Sequence, residues 1–399
     1  MIPREKLMAE AQRLRARTVK FLGELVARPS HSGTERRAAE CIRREMRAVG
    51  FDEVKIDKLG NVIGRIGRGK KIILYDSHID TVGVGDPEAW KGQDPFKLRA
   101  QDGYLWGRGA CDNKGSMACM VHGAGLLKKL GLTGDFTVYV TGSTFEEDCD
   151  GLGQEFLIKK SMRTPHLVVL GEPTDLNVYR GHRGRMEIAV RLAGRSCHAS
   201  APERGDNPIY KMTPLIQQIE ELNGQLQDHP FLGKGTVAVT KIECQTPSLN
   251  AVPDSCTIYL DRRLTAGETK QSALAEIQAL PGARQANVEI LPYEATGYTG
   301  LKVKSEKYFP TWVLPEDHPG VRAAVEAAGV VRGSAPRIGR WAFSTNGVAS
   351  MGRLGIPTIG FGAGNEVDTH SATERIAIDH LPLAVAFYAL FPSIVAPLL

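Results

Sequence analysis

The chain has 399 residues, of which 42% are hydrophobic and 24% are charged, and its formal net charge is +5. This composition is typical of a globular protein and excludes a disordered tail or a protein made mainly of membrane spans. The positive charge is small and scattered along the chain, which argues against a nucleic-acid surface. We therefore expect a small molecule or a short peptide as the partner, and neither a nucleic acid nor a membrane.

The first part of the chain alternates between helix and strand patterns. Buried strands are predicted at residues 71–75, 136–141 and 167–170, and a helix is predicted over residues 116–130. This alternation indicates an α/β fold with a mainly parallel sheet flanked by helices. A histidine or an acidic residue follows each of the three strands, at the carboxyl end where such sheets bind their ligands.

The pattern changes after about residue 184. The predicted elements are strands at residues 185–192, 235–243 and 255–261 and helices at residues 207–226 and 268–279. Their order favours an α+β domain of the ferredoxin-like kind. The α/β pattern resumes near residue 300 with a helix at 318–328 and a strand at 358–361. We therefore predict a discontinuous catalytic domain at residues 1–183 and 299–399, with an inserted lid and dimerisation domain at residues 184–298.

Cysteine usage and one apolar segment bear on the location of the protein. The seven cysteines are odd in number and form no CxxC pair, so they predict reduced thiols in the cytoplasm rather than a disulfide framework or a thiolate zinc site. Residues 381–399 are apolar and about long enough to cross a bilayer. Because Pro382, Pro392 and Pro397 interrupt this segment, we expect a buried terminal helix.

The ends of the predicted strands, and one position far downstream, supply residues that could bind metal ions. These residues are His78, Asp112, Glu147, Glu172 and His370. Imidazole and carboxylate ligands in this mixture suit zinc, with cobalt or manganese as the alternatives. In two-metal hydrolases one carboxylate is usually shared by metals about 3.5–4 Å apart, with the other ligands divided between them.

Five short motifs make the chain recognisable. They are Ser77–Val82, Gly107–Gly115, Thr144–Glu147, Gly171–Thr174 and Asp368–His370. In order and spacing they resemble the signatures of the M20 family of metallopeptidases and deacylases, which includes succinyl-diaminopimelate desuccinylase, acetylornithine deacetylase and several dipeptidases. Residues 197–202 and 249–253 also resemble the lid motifs of that family. The resemblance favours the desuccinylase and deacetylase side, and in particular a branch described as selenium-metabolism-linked hydrolases.

The resemblance implies a ligand set for two divalent metal ions. Asp112 would bridge the two metals. His78 and Glu172 would complete one site, and Glu147 and His370 would complete the other. This arrangement implies a metal-dependent hydrolase that cleaves an amide bond in a small substrate carrying a carboxylate.

The resemblance also implies the residues that do the chemistry. Asp80 would orient the imidazole of His78, and Glu146 would be the general base that moves a proton from water to the leaving amine. His198 and Asn250 would polarise the scissile carbonyl and stabilise the oxyanion. In many relatives this histidine comes from the partner subunit, which implies a homodimer formed through the lid.

Two further residues are predicted to bind substrate. Arg263 lies in a segment that resembles the family's D-x-R-x-x-x-G-E pattern, and its guanidinium could grip a substrate carboxylate. Asn346 stands where relatives usually carry the acid of a substrate loop. The function predicted first is an N-acyl amino acid deacylase, and the alternatives are a metallo-dipeptidase or carboxypeptidase of the same family and a non-catalytic binding module. Glu146 argues against the binding module, which has no need for a base.

Overall fold

The structure is a computed structural model that describes residues 2–399. The α-helices are α1 (Arg4–Val26), α2 (Arg36–Ala48), α3 (Lys114–Lys129), α4 (Leu152–Phe156), α5 (Pro208–Gln225), α6 (Lys270–Gln278), α7 (Pro319–Arg332) and α8 (His380–Val395). The strands of the first half are β1 (Glu53–Ile56), β2 (Val62–Gly67), β3 (Lys71–His78), β4 (Arg99–Gln101), β5 (Tyr104–Trp106), β6 (Phe136–Ser143), β7 (Leu167–Leu170), β8 (Val178–His182) and β9 (Gly184–Ala193). The later strands are β10 (Thr236–Gln245), β11 (Ser255–Leu264), β12 (Asn287–Ile290), β13 (Pro292–Thr296), β14 (Lys302–Glu306), β15 (Tyr308–Phe309), β16 (Trp312–Val313), β17 (Ile338–Trp341), β18 (Thr358–Gly360) and β19 (Arg375–Ala377).

The larger sheet has nine strands in the order β1-β2-β6-β3-β7-β18-β8-β16, with β17 pairing to β8. Its centre, β6-β3-β7-β18, is parallel, and the flanking pairs β1-β2, β2-β6 and β16-β8 are antiparallel. The α/β class predicted from the alternation of elements is therefore confirmed. The sheet is parallel at its centre, and the antiparallel pairs lie toward its edges.

Both faces of the central strands are buried, as a parallel sheet requires. Ile73 and Tyr75 of β3 join a core with α1, α3, α7 and α8, and their neighbours Ile72 and Leu74 join a separate core on the opposite face. This alternation follows from the two-residue period of a strand. The long apolar run in β3 thus reflects burial on two sides and not a helix.

The segment His380–Leu398, which is α8 and the short turn after it, has the length and mean hydropathy of a membrane span, but it packs inside the larger unit. It contacts α1, α3 and α7, and the side chains of Phe387 and Phe391 are fully buried. Phe387 stacks on Phe361, with ring centroids 3.6 Å apart. The helix is therefore a core element, as predicted from the sequence.

A second sheet forms a smaller unit with its own core. Strands β10-β11-β9-β12 pair in this order, and β15 extends the sheet by pairing with β9. Helices α5 and α6 contribute Met212, Leu215, Ile219, Ala273 and Ile277 to its buried core. The strand order and the antiparallel pairing are those of a ferredoxin-like sheet. The hairpin β13-β14 follows β12, and the predicted boundary at residue 298 falls in its tip.

Candidate metal centre

The candidate ligands meet because three parallel strands end at one edge of the larger sheet. His78 is the last residue of β3, Glu147 follows β6, and Glu172 follows β7. Since β6 and β7 both pair in parallel with β3, their carboxyl ends lie side by side. Two loops, one before α3 and one before β19, bring Asp112 and His370 to the same edge.

The five ligand candidates form two groups that share Asp112. In the first group, His78 Nε2 lies 2.8 Å from Asp112 Oδ1 and 3.6 Å from Glu172 Oε1. In the second group, His370 Nε2 lies 3.2 Å from Asp112 Oδ2 and 3.0 Å from Glu147 Oε2. In each group the donor atoms lie within 4.8 Å of one another. Asp112 therefore presents one carboxylate oxygen to each group.

Asp80 lies behind both groups and contacts a member of each. Its backbone carbonyl lies 3.0 Å from His78 Nδ1, and its carboxylate Oδ2 accepts a hydrogen bond from the backbone N–H of Glu147 at 3.0 Å. The same oxygen accepts a hydrogen bond from Ser32 at 2.7 Å. With Nδ1 directed at a carbonyl, the Nε2 atom of His78 faces Asp112 and is the ring nitrogen placed to bind a metal.

Glu146 is buried beside the two groups but belongs to neither. Its Oε2 atom lies 4.0 Å from His78 Nε2, and its side chain lines the cavity at the sheet edge. Burial raises the pKa of Glu146 well above its usual range, and the nearby carboxylate of Asp150 raises it further. A carboxylate in this place can hold a proton near neutral pH.

The protein by itself does not balance the negative charge of this cluster. Burial and the neighbouring Asp112 raise the pKa of Glu147 to about 7. Burial, reinforced by nearby carboxylates, raises the pKa of Glu172 to about 8. Hydrogen bonds to Asp112 and Glu147 raise the pKa of His370 to about 10. Crowded carboxylates either hold protons or bind a cation, and the carboxylate and imidazole donors present here fit divalent metals of the zinc, cobalt and manganese type.

A cavity of about 280 Å³ opens over the candidate ligands. Besides Asp112, Glu146, Glu147, Glu172 and His370, its lining includes Asp150, Arg185, Arg263, Phe343, Ser344 and Thr369. The lining combines acidic side chains with the guanidinium groups of Arg185 and Arg263. Such a site can hold a substrate that carries both a carboxylate and an amide.

The chain matches the model of Peptidase family M20/M25/M40 over residues 74–393. The chain belongs to this family. It is 47% identical over 393 residues to the protein YgeY of Escherichia coli (strain K12), a match that covers 98% of this chain and 97% of that protein. It is 30% identical over 250 residues to the succinyl-diaminopimelate desuccinylase of Maricaulis maris (strain MCS10), a match that covers 60% of this chain and 63% of the relative.

Solved structures of other peptidases share the fold. Aminopeptidase PepT from Bacillus cereus ATCC 10987 superposes with a TM-score of 0.74 at 20% sequence identity, covering 96% of this chain and 99% of that one. The Bacillus subtilis YXEP protein, described as a dinuclear metal-binding peptidase, superposes with a TM-score of 0.72 at 16% identity, covering 97% and 100%. Together with the family assignment, these matches identify this M20 protein as a hydrolase that acts on peptide or amide bonds.

The two residues predicted from the M20 lid motifs lie together, but away from the cavity of the same chain. His198 and Asn250 are both exposed, and neither lines the cavity. Their segments are paired, because the backbone N–H of Ala199 donates to Asn250 O at 2.8 Å and His198 bridges to Ala251. Ser200 Oγ lies 2.7 Å from His198 Nδ1, which leaves Nε2 free to face another molecule.

The structure corrects the substrate-binding role predicted for Asn346. This side chain is 2% exposed and lies behind the cavity wall. Its amide nitrogen donates to Asp76 Oδ2 at 2.9 Å and to Ser143 Oγ at 2.8 Å, and its Oδ1 atom accepts from the backbone N–H of Gly151 at 2.8 Å. Its oxygen and its nitrogen both have partners inside the protein, so Asn346 supports the wall and is not among the residues that line the cavity.

The sequence did not mark Arg185, which lies in the cavity near the start of β9. Its Nη2 atom donates to Asp150 Oδ1 at 3.0 Å, and Asp150 also accepts a hydrogen bond from Ser344. A charged residue in an alternating strand is usually a surface residue, so the sequence held no signal for this placement. Arg263 does line the cavity, as its predicted role requires, and pairs with Asp261 at 2.7 Å and 3.0 Å.

A buried ion pair holds the loop that carries the shared ligand. Glu374 is fully buried and accepts hydrogen bonds from Arg108 at 2.6 Å and from the backbone N–H of Asp112 at 3.0 Å. The same carboxylate also accepts the N–H of Cys111 at 2.9 Å. Arg108 is part of the Gly107–Gly115 motif, but the sequence gave no sign that Glu374, a single glutamate in a polar loop, would pair with it.

Proposed function

We propose that this M20 enzyme is a dinuclear zinc amidohydrolase that cleaves the amide bond of an N-acyl amino acid. The observation that carries the proposal is Asp112, whose two carboxylate oxygens lie 2.8 Å from His78 Nε2 and 3.2 Å from His370 Nε2. A carboxylate that faces two separate ligand groups is suited to bridging two cations. Glu172 completes the first group and Glu147 the second. Cobalt and manganese are the other metals that suit these donors.

Glu146 is the proposed general base. Zinc held by the two groups would supply Lewis-acid polarisation of the scissile carbonyl and would lower the pKa of the attacking water. Glu146 takes the proton from that water and delivers it to the leaving amine. Its position supports this role, because it lies beside His78 in the cavity but outside both ligand groups. A base that was itself a ligand would have its lone pairs occupied.

The two cavity arginines support a substrate that carries a carboxylate. Arg263 and Arg185 both line the cavity, and each guanidinium is aligned by an acidic partner, Asp261 for the first and Asp150 for the second. A guanidinium held in this way can bind a carboxylate in a planar, bidentate manner. The similarity to desuccinylases favours a simple acyl group over a second amino acid as the portion that carries the scissile carbonyl.

The test combines metal content with a substrate panel. The protein, purified without chelator, should contain about two metals per chain. It should release free amino acids from N-acyl amino acids faster than from dipeptides, and a chelator should abolish both activities. A preference for dipeptides would replace the deacylase with the metallo-dipeptidase. A chain that binds no metal and hydrolyses neither class would contradict the proposal as a whole.

A matched pair of variants tests the role of Glu146. Glu146→Gln keeps the shape of the side chain but cannot take a proton, so turnover should fall by about 100-fold or more while the metal content stays unchanged. Asp148→Asn is the control, because Asp148 lies two residues along the same segment but is exposed and outside the cavity. Activity retained in Glu146→Gln would remove this residue from the mechanism.

We also propose that the smaller unit is a lid that forms a homodimer. The separate cores of the two units support the division into domains. Strand β10 is an edge strand, and apolar side chains are exposed on it and on the adjacent start of α5. Their exposed fractions are 51% for Ile242, 36% for Ile209 and 76% for Tyr210. An unpaired edge with apolar neighbours is a natural site for pairing with a second copy.

We also propose a cytoplasmic location for the protein. The unpaired cysteines support this location, because thiols stay reduced in the cytoplasm.

Subunit mixing tests whether His198 acts across this dimer. Glu146→Gln and His198→Ala homodimers should each be inactive. If the histidine serves the partner's site, mixed dimers contain one site with both residues intact, and activity should return on mixing. No recovery in verified mixed dimers would place His198 in its own subunit's site or outside catalysis.

A further inference from the structure

Two cysteines of the smaller unit face each other across neighbouring strands. Cys244 on β10 is directly opposite Cys256 on β11 in the antiparallel register. Directly opposed residues have Cα atoms about 4.5–5.5 Å apart, and their side chains leave the same face of the sheet. A disulfide spans Cα separations of about 4.4–6.8 Å. The register of the two strands therefore already suits a disulfide, although both thiols are free in the structure.

These cysteines differ from the other five in their placement. Cys244 and Cys256 lie in strands, whereas the others lie in helices or loops. Cys244 is exposed, so an oxidant in solution reaches it directly. Cys256 is fully buried, and burial together with a hydrogen bond to the Cys244 thiol raises its pKa to about 12. Redox-active cysteines are commonly exposed and placed next to a second, resolving cysteine, and the register puts Cys256 in that position beside Cys244.

The strand pair leads into the turn that carries Asn250. Backbone hydrogen bonds join this turn to the segment of His198, from Ala199 N to Asn250 O at 2.8 Å and from Val252 N to Cys197 O at 2.9 Å. Residues 246–250 are all exposed. A bond between Cys244 and Cys256 would close a ring around the turn and restrict its motion, without touching the metal centre.

We propose that Cys244 and Cys256 form a reversible disulfide that clamps the turn carrying Asn250. With a small-molecule disulfide such as oxidised glutathione, the Cys244 thiolate attacks one sulfur and releases one glutathione thiol. Cys256 then loses its proton and attacks Cys244 Sγ, which releases the second glutathione. Two protein thiols are oxidised to one S–S bond, the glutathione disulfide is reduced to two thiols, and these take up the two protons.

The experiment maps the bond directly on the full chain. The purified protein is incubated with oxidised glutathione, its remaining thiols are alkylated, and it is cut before Asp254 by an aspartate-specific endoproteinase so that the two cysteines fall on separate peptides. Mass spectrometry without reduction should find these peptides joined, and reduction should separate them. Cys244→Ser should abolish the link. Cys197→Ser is the control, because Cys197 is partly exposed on a neighbouring loop, and it should keep the link.

Other outcomes would overturn the proposal. One is glutathione that stays on Cys244, which would show that Cys256 does not resolve the mixed disulfide. Another is a bond between two Cys244 residues of a dimer. A second measurement tests the clamp itself: oxidation should slow backbone hydrogen exchange in residues 246–254 in the wild type and not in Cys244→Ser. Unchanged exchange in the cross-linked protein would refute the clamping of the turn.

Discussion

Replacing Asn346 with aspartate tests the buried network behind the cavity wall. The Asn346 amide donates to Asp76 Oδ2 at 2.9 Å and to Ser143 Oγ at 2.8 Å. Asp76 is 1% exposed, and burial raises its pKa, so its charge depends on the donors around it. Asn346→Asp removes one of these donors and places a second carboxylate oxygen against the first.

The expected cost follows from the two hydrogen bonds that the substitution removes. A hydrogen bond to a charged group contributes about 1.5–3 kcal/mol, and one between neutral groups contributes about 1 kcal/mol. Together the two hydrogen bonds amount to about 3 kcal/mol, and one of the two carboxylates must also take up a proton to avoid a buried like-charge pair. For a domain of this size, a destabilisation of this magnitude lowers Tm by roughly 5 °C or more.

The assay is thermal unfolding of four proteins, namely the wild type, Asn346→Asp, Asp76→Asn and the double variant. The double variant reverses the polarity of the pair, since the new amide at 76 can donate to the new carboxylate at 346. It should therefore recover more than half of the decrease in Tm caused by Asn346→Asp. Asn287→Asp is the surface control and should change Tm by roughly 1 °C at most, because Asn287 is exposed on β12. A wild-type Tm in Asn346→Asp, or a double variant no more stable than this single variant, would refute the reasoning.

Three further predictions concern the metal centre and the pH dependence of stability. Removing metal with a chelator should lower both Tm and activity, and adding zinc should restore them. Calorimetry in buffers of different ionisation enthalpy should also detect protons released by the buried carboxylates as zinc binds. Zinc binding without proton release would contradict the raised pKa values of these carboxylates. Glu374→Gln should weaken zinc affinity by about 10–100-fold, measured in competition with a chromophoric chelator. The reason is that Glu374 neutralises Arg108 and accepts the hydrogen bond from the Asp112 N–H. Unchanged zinc affinity would show that Glu374 does not help to position Asp112. Burial lowers the pKa of His182 to about 4, below the ordinary 6.5. The unfolded chain therefore binds a proton at this histidine more readily than the folded chain does. As the pH falls from about 6.5 toward 4, protonation of the unfolded chain lowers the free energy of unfolding by up to about 3 kcal/mol. The Tm difference between the wild type and His182→Gln should therefore shrink between pH 7.5 and 4.5, and parallel Tm curves would show that His182 does not titrate in this way.

The larger elements of the fold were predictable from periodicity. Strand β7 begins and ends at the predicted residues, Leu167 and Leu170, and α3 begins two residues before its predicted start. Strand β8 was missed, because Arg180 and Gly181 break the apolar pattern within five residues. The hairpin β13-β14 was missed because its strands are short and half-exposed, and the face opposite its charged residues carries only Tyr293, Ala295 and Val303 as apolar residues. Periodicity identifies an element when one neighbouring layer determines which face is buried, and short edge elements lack such a layer.

The sequence by itself determined the family and the set of residues that could bind metal, because these depend on residue types in a fixed order. Only the tertiary structure decided how the residues act together. Asp112 reaches its partners His78 and His370 through the pairing of parallel strands and the closure of a distant loop. Asn346 lies in a substrate-loop position of the sequence, yet it is buried behind the cavity wall. Local sequence carries no record of which long-range neighbours satisfy a polar side chain, and those neighbours determine whether the side chain binds substrate or supports the fold.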